Sequence, residues 1–321
     1  MSRNRQLWKY FLGAWRRYAL GIVALLATNL LALSIPRQIG GAVQYLQDSL
    51  DHPSVDLGVV ADFAWTIVAL AVGASLARVL SRVFIFNAGR HIEYQLREVL
   101  FGQLTTLGRS FFEQSATGDL TSRVVNDVTY VRLMFGFGVL HVVNTAIAYL
   151  VVMGLMLSVS PTLTLYALLP YPMIFLTVRL FTRAIYRRTQ AAQEALSAVS
   201  ARAQENLSGA MVVRAFSLQS RENQVFASLS DSYMERNLAL ARVRSALTPY
   251  MGTIGAMGML IVLWAGGLLT IDGQIKLGQY IEFSAYVVTL AWPTTAMGWV
   301  LSMWNRGTAA FDRLKMILDG H

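Results

Sequence analysis

The stretch FFEQSATGDLTSRVVNDV, residues 111–128, is polar, charged and broken by glycine within a chain that is otherwise largely apolar. Its SATG sequence, residues 115–118, supplies a flexible glycine and helix-capping hydroxyl groups, which predicts a break between two helices. Arg123 and Asp127 lie one turn apart after the break, a pair that supports a short helix weakly because the base precedes the acid. Apolar residues recur there at the spacing of one helical face, which we expect to serve as a docking face: Leu120, Val124, Val128 and Val131.

The composition around this stretch is that of a membrane protein. Of 321 residues, 55% are hydrophobic and 14% charged, and the mean hydropathy is +0.47. The chain has no cysteine and only four scattered histidines, which argues against a disulfide scaffold, thiol catalysis and a metal cluster. We therefore expect no catalytic residue and no metal site. The net charge of +9 would also suit nucleic acid, but in a membrane chain it more often reflects topology, so we expect no nucleic-acid partner.

Six apolar runs are long enough to cross a hydrocarbon core of ~30 Å, which takes roughly 20 residues each. They cover residues 18–43, 59–77, 134–157, 163–180, 247–269 and 280–303. The first run is too long for a signal peptide and lacks a convincing cleavage pattern, so we interpret it as a retained span. Residues 1–17 set apolar side chains among basic ones, which predicts an amphipathic elbow helix on the membrane surface.

The distribution of Lys and Arg predicts the topology. The loop at residues 47–58 carries three aspartates and no base, the loop at 158–162 carries no base, and the loop at 270–279 carries only Lys276. Of the 27 Lys and Arg residues, all but Arg37 and Lys276 lie at the N-terminus, at the C-terminus or in the two long connections, where Arg179 at the end of the fourth run is counted with the connection that follows it. By the positive-inside rule, we expect a multi-pass protein of the inner (plasma) membrane with both termini in the cytoplasm.

The two long connections are predicted to be helical hairpins, because they are too long for turns and too periodic for disorder. In the first, a helix descends over residues 78–112. In the second, helix is expected to continue from residue 161 to 207, roughly 70 Å at ~1.5 Å per residue, and to return over residues 221–244. The second hairpin ends in NLSGAMVVRAFSLQSREN, residues 206–223, where Gly209 breaks the helix.

We call the ends of the two hairpins the first tip (residues 115–128) and the second tip (residues 209–217). A turn exposed to water is the alternative interpretation of each tip. In the second tip, however, Val212, Val213 and Phe216 form an apolar face, which favours a protein partner that covers it. Two helical stalks of about 25 Å that merely hold turns in water would also make little physical sense.

Together, these features resemble the transmembrane domain of ABC exporters with the multidrug-exporter fold, over essentially the whole chain. The first tip matches the family pattern at Thr117, Gly118, Asp119, Leu120, Ser122, Arg123, Asp127 and Val128. The second tip matches at Glu205, Gly209, Val213, Arg214, Ala215 and Phe216. Softer matches are Ile35-Pro36, Gly278, Trp292-Pro293 and the tail RGTAAFDRLKMIL from Arg306. The strings WRRY and YVVTLAWPTTAMGW are similar to bacterial Mdl-type multidrug-resistance-like half-transporters.

The resemblance implies an all-α membrane protein with six transmembrane helices and two long cytoplasmic hairpins that end in coupling helices. It divides the chain into an elbow helix (1–17), a transmembrane domain (18–305) and a linker (306–321) towards a nucleotide-binding domain. The sequence contains no GxxxxGK[ST] phosphate loop. ATP and Mg²⁺ are therefore expected in a nucleotide-binding domain outside this segment, which we expect to follow in a longer polypeptide, a separate chain being the alternative.

The implied function is ATP-driven export of amphipathic or hydrophobic compounds, drug-like or lipid-like. The first coupling helix is expected to dock at both nucleotide-binding domains, and the second mainly at that of the partner subunit. The expected partner is a second half-transporter, with a heterodimer favoured and a homodimer possible, in contact with membrane lipid. The other functional classes are an ATP-independent channel or receptor with docking hairpins, which gives no reason for the tip motifs, and a secondary transporter, which usually shows inverted repeats.

Candidates for the substrate pathway lie within or beside the spans. One set is flexible and aromatic, and its alternative role is lipid contact and helix packing: Met251, Met257, Trp292, Met297 and Trp299. Apart from Arg179 at the very end of the fourth run, Arg37 is the one base placed inside a span, and Glu282 is its expected partner. The alternative for Arg37 is that its side chain extends to the outer headgroups.

Overall fold

The computed structural model describes residues 10–49, 56–114 and 116–319, and this part of the chain is helical, without strands. We number its helices in chain order after a single turn at residues 10–13. They are α1 (Trp15–Asp48), α2 (Leu57–Thr106), α3 (Arg109–Gln114), α4 (Thr117–Val159), α5 (Pro161–Ser208), α6 (Ala210–Ala215), α7 (Gln219–Ile271) and α8 (Leu277–Leu318). Helix α4 contains two π-helical turns, at Arg123–Asp127 and Met134–Gly138, and α5 is interrupted at Leu169 and Pro170.

Five of the six predicted spans fall within one helix each, and the span at residues 163–180 lies in α5 across the interruption at Leu169 and Pro170. By length and composition, α1, α2, α4, α5 and α7 are apolar enough to cross a membrane. Helix α8 is 42 residues long but does not meet this criterion among the described residues. The reason is its composition, since residues 280–303 include three threonines, two tryptophans and a proline. The all-α membrane fold is thus established, while the sixth span stays a prediction.

The chain divides into two compact units. The first unit consists of Met1–Thr164 and Leu263–His321, and the second of Leu165–Val262. The divisions fall inside α5 and α7, so the first tip belongs to the first unit and the second tip to the second.

The core of the first unit lies where four helices meet: the start of α1, the second half of α2, the first half of α4 and the end of α8. Helix α2 contributes one side chain per turn at the spacing of a single helical face: Ile85, Ala88, Ile92, Leu96 and Leu100. Helix α8 contributes Ala310, Phe311, Leu314 and Ile317, each with 0% exposure. Residues 306–318, predicted as a linker, therefore continue α8 and pack into this core.

The described part of the elbow joins the same core on one side and leaves an apolar surface on the other. The ring of Tyr10 packs edge-on against Phe311, with 6.5 Å between the ring centroids. Leu12 and Trp15 are exposed. This division suits a helix that lies on a membrane surface. Residues 1–9 of the predicted elbow lie outside the described residues.

Glycines allow two pairs of helices in the first unit to touch backbone to backbone. A Cβ added at Gly89 of α2 would lie 3.0 Å from the Cα of Gly136 of α4. A Cβ at Gly278 of α8 would overlap the carbonyl oxygen of Gly40 of α1. The Gly278 N–H also donates to the Gln44 side chain at 3.2 Å. Small residues serve such close approaches in membrane proteins because they leave room for van der Waals contact between backbones.

The second unit is a hairpin of α5 and α7 joined by the short helix α6. Near one end, the rings of Phe181 and Tyr250 lie 5.8 Å apart. Near the other, Arg202 of α5 forms an ion pair with Glu222 of α7. The hairpin is thus held by an aromatic contact at one end and by an ion pair beside the second tip.

Candidate functional site: two helical tips

The first tip begins where α4 starts. Ala116 precedes α4 in an extended conformation and accepts its first helical hydrogen bonds. Gly118 is helical, in the first turn of α4, and has no positive φ, so the predicted break lies before it. The helices are interrupted at Ala116 and at residues 107–108, between α2 and α3. The sequence predicted only the break at residues 115–118.

A π-helical turn at Arg123–Asp127 changes the direction of the side chains in the first tip. The N–H of Val128 donates to the carbonyl of Arg123, five residues back instead of four. The predicted contact between Arg123 and Asp127 is not made. Arg123 pairs instead with Asp119, with Nη2 2.8 Å from Oδ2. The wider turn explains the difference, because it moves Asp127 out of line with Arg123.

Asp127 is held by a two-pronged ion pair with Arg313 of α8, which we call the clamp. Arg313 Nε donates to Oδ2 at 2.9 Å, and Nη2 donates to Oδ1 at 2.6 Å. Such a fork fixes direction as well as distance. The Asp127 side chain is 8% exposed, and its hydrogen bonds raise the pKa of the Arg313 guanidinium. Asp127 is therefore engaged inside its own chain.

The apolar face of the first tip also points inward. Leu120 is 6% exposed, Val128 and Val131 are 0% exposed, and all three belong to the core that contains Phe311. The sequence predicted this face as a docking surface, but α8 and its neighbours cover it. The exposed residues of the first tip are mostly small or polar and include Gly118, Asp119, Thr121, Ser122, Val125 and Asn126.

The second tip begins at Gly209, between α5 and α6, where the sequence placed the break. The Gly209 N–H donates to the carbonyl of Glu205 at 2.8 Å. A Cβ at Gly209 would lie 3.1 Å from that oxygen, closer than a side chain normally approaches. After α6 the chain turns at Ser217, whose φ of 52° lies in the left-handed region that few non-glycine residues adopt.

The second tip presents an apolar surface. No residue of α6 is buried. Met211 is 81% exposed, Val212 56% and Phe216 71%. The other predicted residues of this tip are Val213, which is half-buried, and Arg214 and Ala215, which are exposed. Contiguous exposed apolar side chains rimmed by a charged one are typical of a surface that binds a partner.

Arg202 of α5 forms ion pairs at the base of the second tip. Its Nη1 lies 2.7 Å from Glu205 Oε2 on α5, and its Nη2 pairs with Glu222 on α7. The hydrogen bond with Glu205 raises the pKa of Arg202. The Glu205 side chain is 69% exposed, so water screens this attraction. The pair between α5 and α7 is more shielded, because the side chains of Arg202 and Glu222 are 24% and 14% exposed, so this pair is the one that aligns the two helices.

Arg37 and Glu282, predicted as partners, do not form an ion pair among the described residues. Glu282 Oε1 accepts a hydrogen bond from the Tyr286 hydroxyl at 2.8 Å, and that hydroxyl lies 3.3 Å from the carbonyl oxygen of Leu33. Arg37 is exposed. An exposed guanidinium on a span suits the alternative, in which its side chain extends to the headgroups.

The other substrate-pathway candidates are distributed over both units. Met251 is half-buried, Met257 is 42% exposed and Trp292 is 61% exposed. The side chains of Met297 and Trp299 lie outside the described residues. A groove of about 480 Å³ in the second unit is lined by stalk residues and by none of these candidates: Tyr186, Thr189, Gln190, Gln193, Glu194 and Ser197.

Two contacts between distant helices were not predicted from the sequence. Asn29 of α1 donates to Asn144 of α4 at 3.0 Å. Isolated amides inside apolar runs were an available signal for this contact, because such side chains hydrogen-bond across membrane helices. The other is the ion pair between Arg313 and Asp127, which lie 186 residues apart in the chain. Among the described residues, no three His, Asp or Glu side chains are grouped as a metal site would require.

Comparison with known proteins gives a consistent family. The ABC transporter transmembrane region matches residues 18–294. The multidrug resistance-like ATP-binding protein MdlA of Escherichia coli (strain K12) is 31% identical over 314 residues, which cover 98% of this chain and 52% of that protein. The probable multidrug resistance ABC transporter ATP-binding/permease protein YheI of Bacillus subtilis (strain 168) is 27% identical over 318 residues, 98% of this chain and 53% of that protein.

A relative with another named substrate is similar over the same length. The ATP-dependent lipid A-core flippase of Methylococcus capsulatus (strain ATCC 33009 / NCIMB 11132 / Bath) is 25% identical over 319 residues, 98% of this chain and 52% of that protein. The chain thus spans about half the length of the curated relatives it matches.

Proposed function

This chain belongs to the family of ABC transporter transmembrane regions, and we propose that it forms the membrane-spanning half of an ATP-driven exporter. In this function its two tips are coupling helices. Each receives motion from a nucleotide-binding domain, and the stalk helices carry that motion to the spans as a rigid-body rearrangement.

The observation that carries the proposal is the surface of the second tip. Met211, Val212 and Phe216 are more than half exposed at the end of a long hairpin of their own unit. Exposed apolar side chains in such a place favour a protein partner over a turn in water. The first tip adds a second, polar surface that includes Asp119 and Ser122.

ATP and Mg²⁺ belong to the nucleotide-binding domain in this proposal. The names of the relatives describe them as ATP-binding or ATP-dependent proteins, and they are about twice as long as this chain. No step of ATP hydrolysis is assigned to a residue of this chain, which contributes only the docking surfaces and the pathway.

The proposed substrates are amphipathic or hydrophobic compounds, drug-like or lipid-like. Supporting this class, two relatives are named for multidrug resistance and one as a flippase of lipid A-core. The flexible and aromatic residues of α7 and α8 are the proposed contacts: Met251, Met257, Trp292, Met297 and Trp299. Arg37 and Glu282 are proposed at the outer end of this pathway.

The proposed assembly is a dimer of half-transporters in the inner membrane, with both termini and both tips in the cytoplasm. A heterodimer is favoured over a homodimer by the resemblance to Mdl-type transporters. The distribution of Lys and Arg supports this orientation.

The test is coupled transport by the transporter assembled with its nucleotide-binding domains in proteoliposomes. Phe216→Ala should preserve assembly and remove most ATP-driven movement of a fluorescent amphipathic dye, because an exposed docking side chain is lost. Phe101→Ala is the matched control, since Phe101 is 69% exposed on α2 and Phe216 is 71% exposed.

Two results would contradict the proposal. Dye movement that does not depend on ATP would indicate a channel or secondary transporter. Unchanged transport and substrate-stimulated ATPase activity in Phe216→Ala would show that the second tip does not couple the two processes.

A further inference from the structure

The first tip and the end of α8 are joined by two different kinds of contact. The apolar contact buries Leu120, Val128 and Val131 in one core with Phe311 and Leu314. Apolar burial is non-directional, so it holds the elements together without fixing one orientation. The clamp fixes one orientation of the first tip relative to α8, because Nε and Nη2 of Arg313 each donate to a different carboxylate oxygen of Asp127.

A third contact places the clamp at the centre of a small network. Nη1 of Arg123 lies 3.4 Å from the carbonyl oxygen of Arg313, and Nη2 of Arg123 pairs with Asp119 on the exposed surface of the tip. A chain of polar contacts therefore runs from the exposed Asp119, through Arg123, to the backbone of α8 at Arg313.

We propose that Arg313 is a positioning residue of the coupling machinery, which locks the first tip to the end of α8 so that both move as one rigid body. This inference rests on the proposed function and deepens it. A force applied at the docking surface of the first tip would then act directly on α8, whose other end holds Glu282 and Tyr286 beside α1.

The alternative is that the clamp only stabilises the fold. In that case a variant that keeps the stability of the chain should also keep coupling. The Asp127 side chain is 8% exposed and that of Arg313 is 47% exposed, so removal of Arg313 alone leaves a buried carboxylate uncompensated, whereas replacing both partners by apolar side chains of similar volume leaves no buried charge. The double variant Asp127→Leu/Arg313→Met should therefore keep the fold while it loses the directional fork. Arg313→Lys keeps the charge but not the bidentate geometry.

The structural test uses the absence of cysteine from the chain. Cysteines introduced at the exposed residues Val125 and Met316 provide a spin-label pair between the first tip and α8, measured on the 321-residue chain in lipid nanodiscs. We expect one narrow distance distribution with the clamp intact, and a broadened one in Arg313→Ala and in the double variant. Arg109→Ala, which removes an exposed ion pair with Glu113, should leave the distribution unchanged.

The functional test measures transport per ATP hydrolysed by the assembled transporter. The double variant should retain the thermal stability of the unmodified chain but lose most transport per ATP, and Arg313→Lys should lose part of it. An unchanged distance distribution in Arg313→Ala, or full coupling in a double variant with a broadened distribution, would overturn the inference. If the unmodified transporter shows no ATP-driven transport, the proposed function fails, while the distance measurement still decides whether the clamp fixes the tip.

Discussion

The two tips have similar positions in the chain, each at the end of a long hairpin, but opposite relations to their own unit. The first tip buries its apolar face and its aspartate against α8 and presents a polar surface. The second tip buries no residue of α6 and presents Met211, Val212 and Phe216. We therefore propose different roles for them: the first tip, fixed against α8, transmits direction, and the second tip provides an apolar surface for a partner to cover.

The largest expected effect that separates the tips is on stability. Phe311→Ala, beneath the first tip, should lower the free energy of unfolding by about 3–5 kcal/mol because it empties a fully buried site. The same substitution at Phe216 should change it by less than ~0.5 kcal/mol because that ring is exposed. Thermal unfolding of the chain in detergent measures both.

Equal destabilisation by the two substitutions would remove the distinction between the tips. It would mean that the second tip is packed against its own unit. A large effect at Phe216 alone would reverse the distinction.

A smaller effect is expected at the base of the second tip. Arg202→Ala removes the ion pairs to Glu205 and Glu222. The amide hydrogens of α6 should therefore exchange faster. The midpoint of thermal unfolding should fall less than it does in Phe311→Ala. Arg221→Ala, an exposed arginine beside Glu222, is the control. Unchanged exchange in Arg202→Ala would show that the ion pairs do not align the hairpin.

The sequence allowed the long helices and the positions of both tips to be predicted, because these depend on local signals. Apolar runs marked the six helices that contain the predicted spans, and Gly209 marked the break between α5 and α6. The interruption at residues 107–108 was less visible, although Gly108 was an available signal.

The roles of the side chains in the first tip could not be predicted in the same way. Periodicity identified the apolar face of Leu120 and Val128 but not what covers it, because Phe311 lies far away in the chain. The π-helical turn has no simple sequence signal, yet it decides that Asp127 pairs with Arg313 and not with Arg123. A long-range ion pair of this kind requires the fold to be known.

Both tips are proposed as docking surfaces for nucleotide-binding domains, and crosslinking at the second tip tests this role most directly. A photoreactive phenylalanine at position 216 of the purified, assembled transporter should crosslink to a nucleotide-binding domain, and the same label at the equally exposed position 101 should not. Crosslinks from position 216 only to lipid, or equal crosslinking from both positions, would contradict the claim.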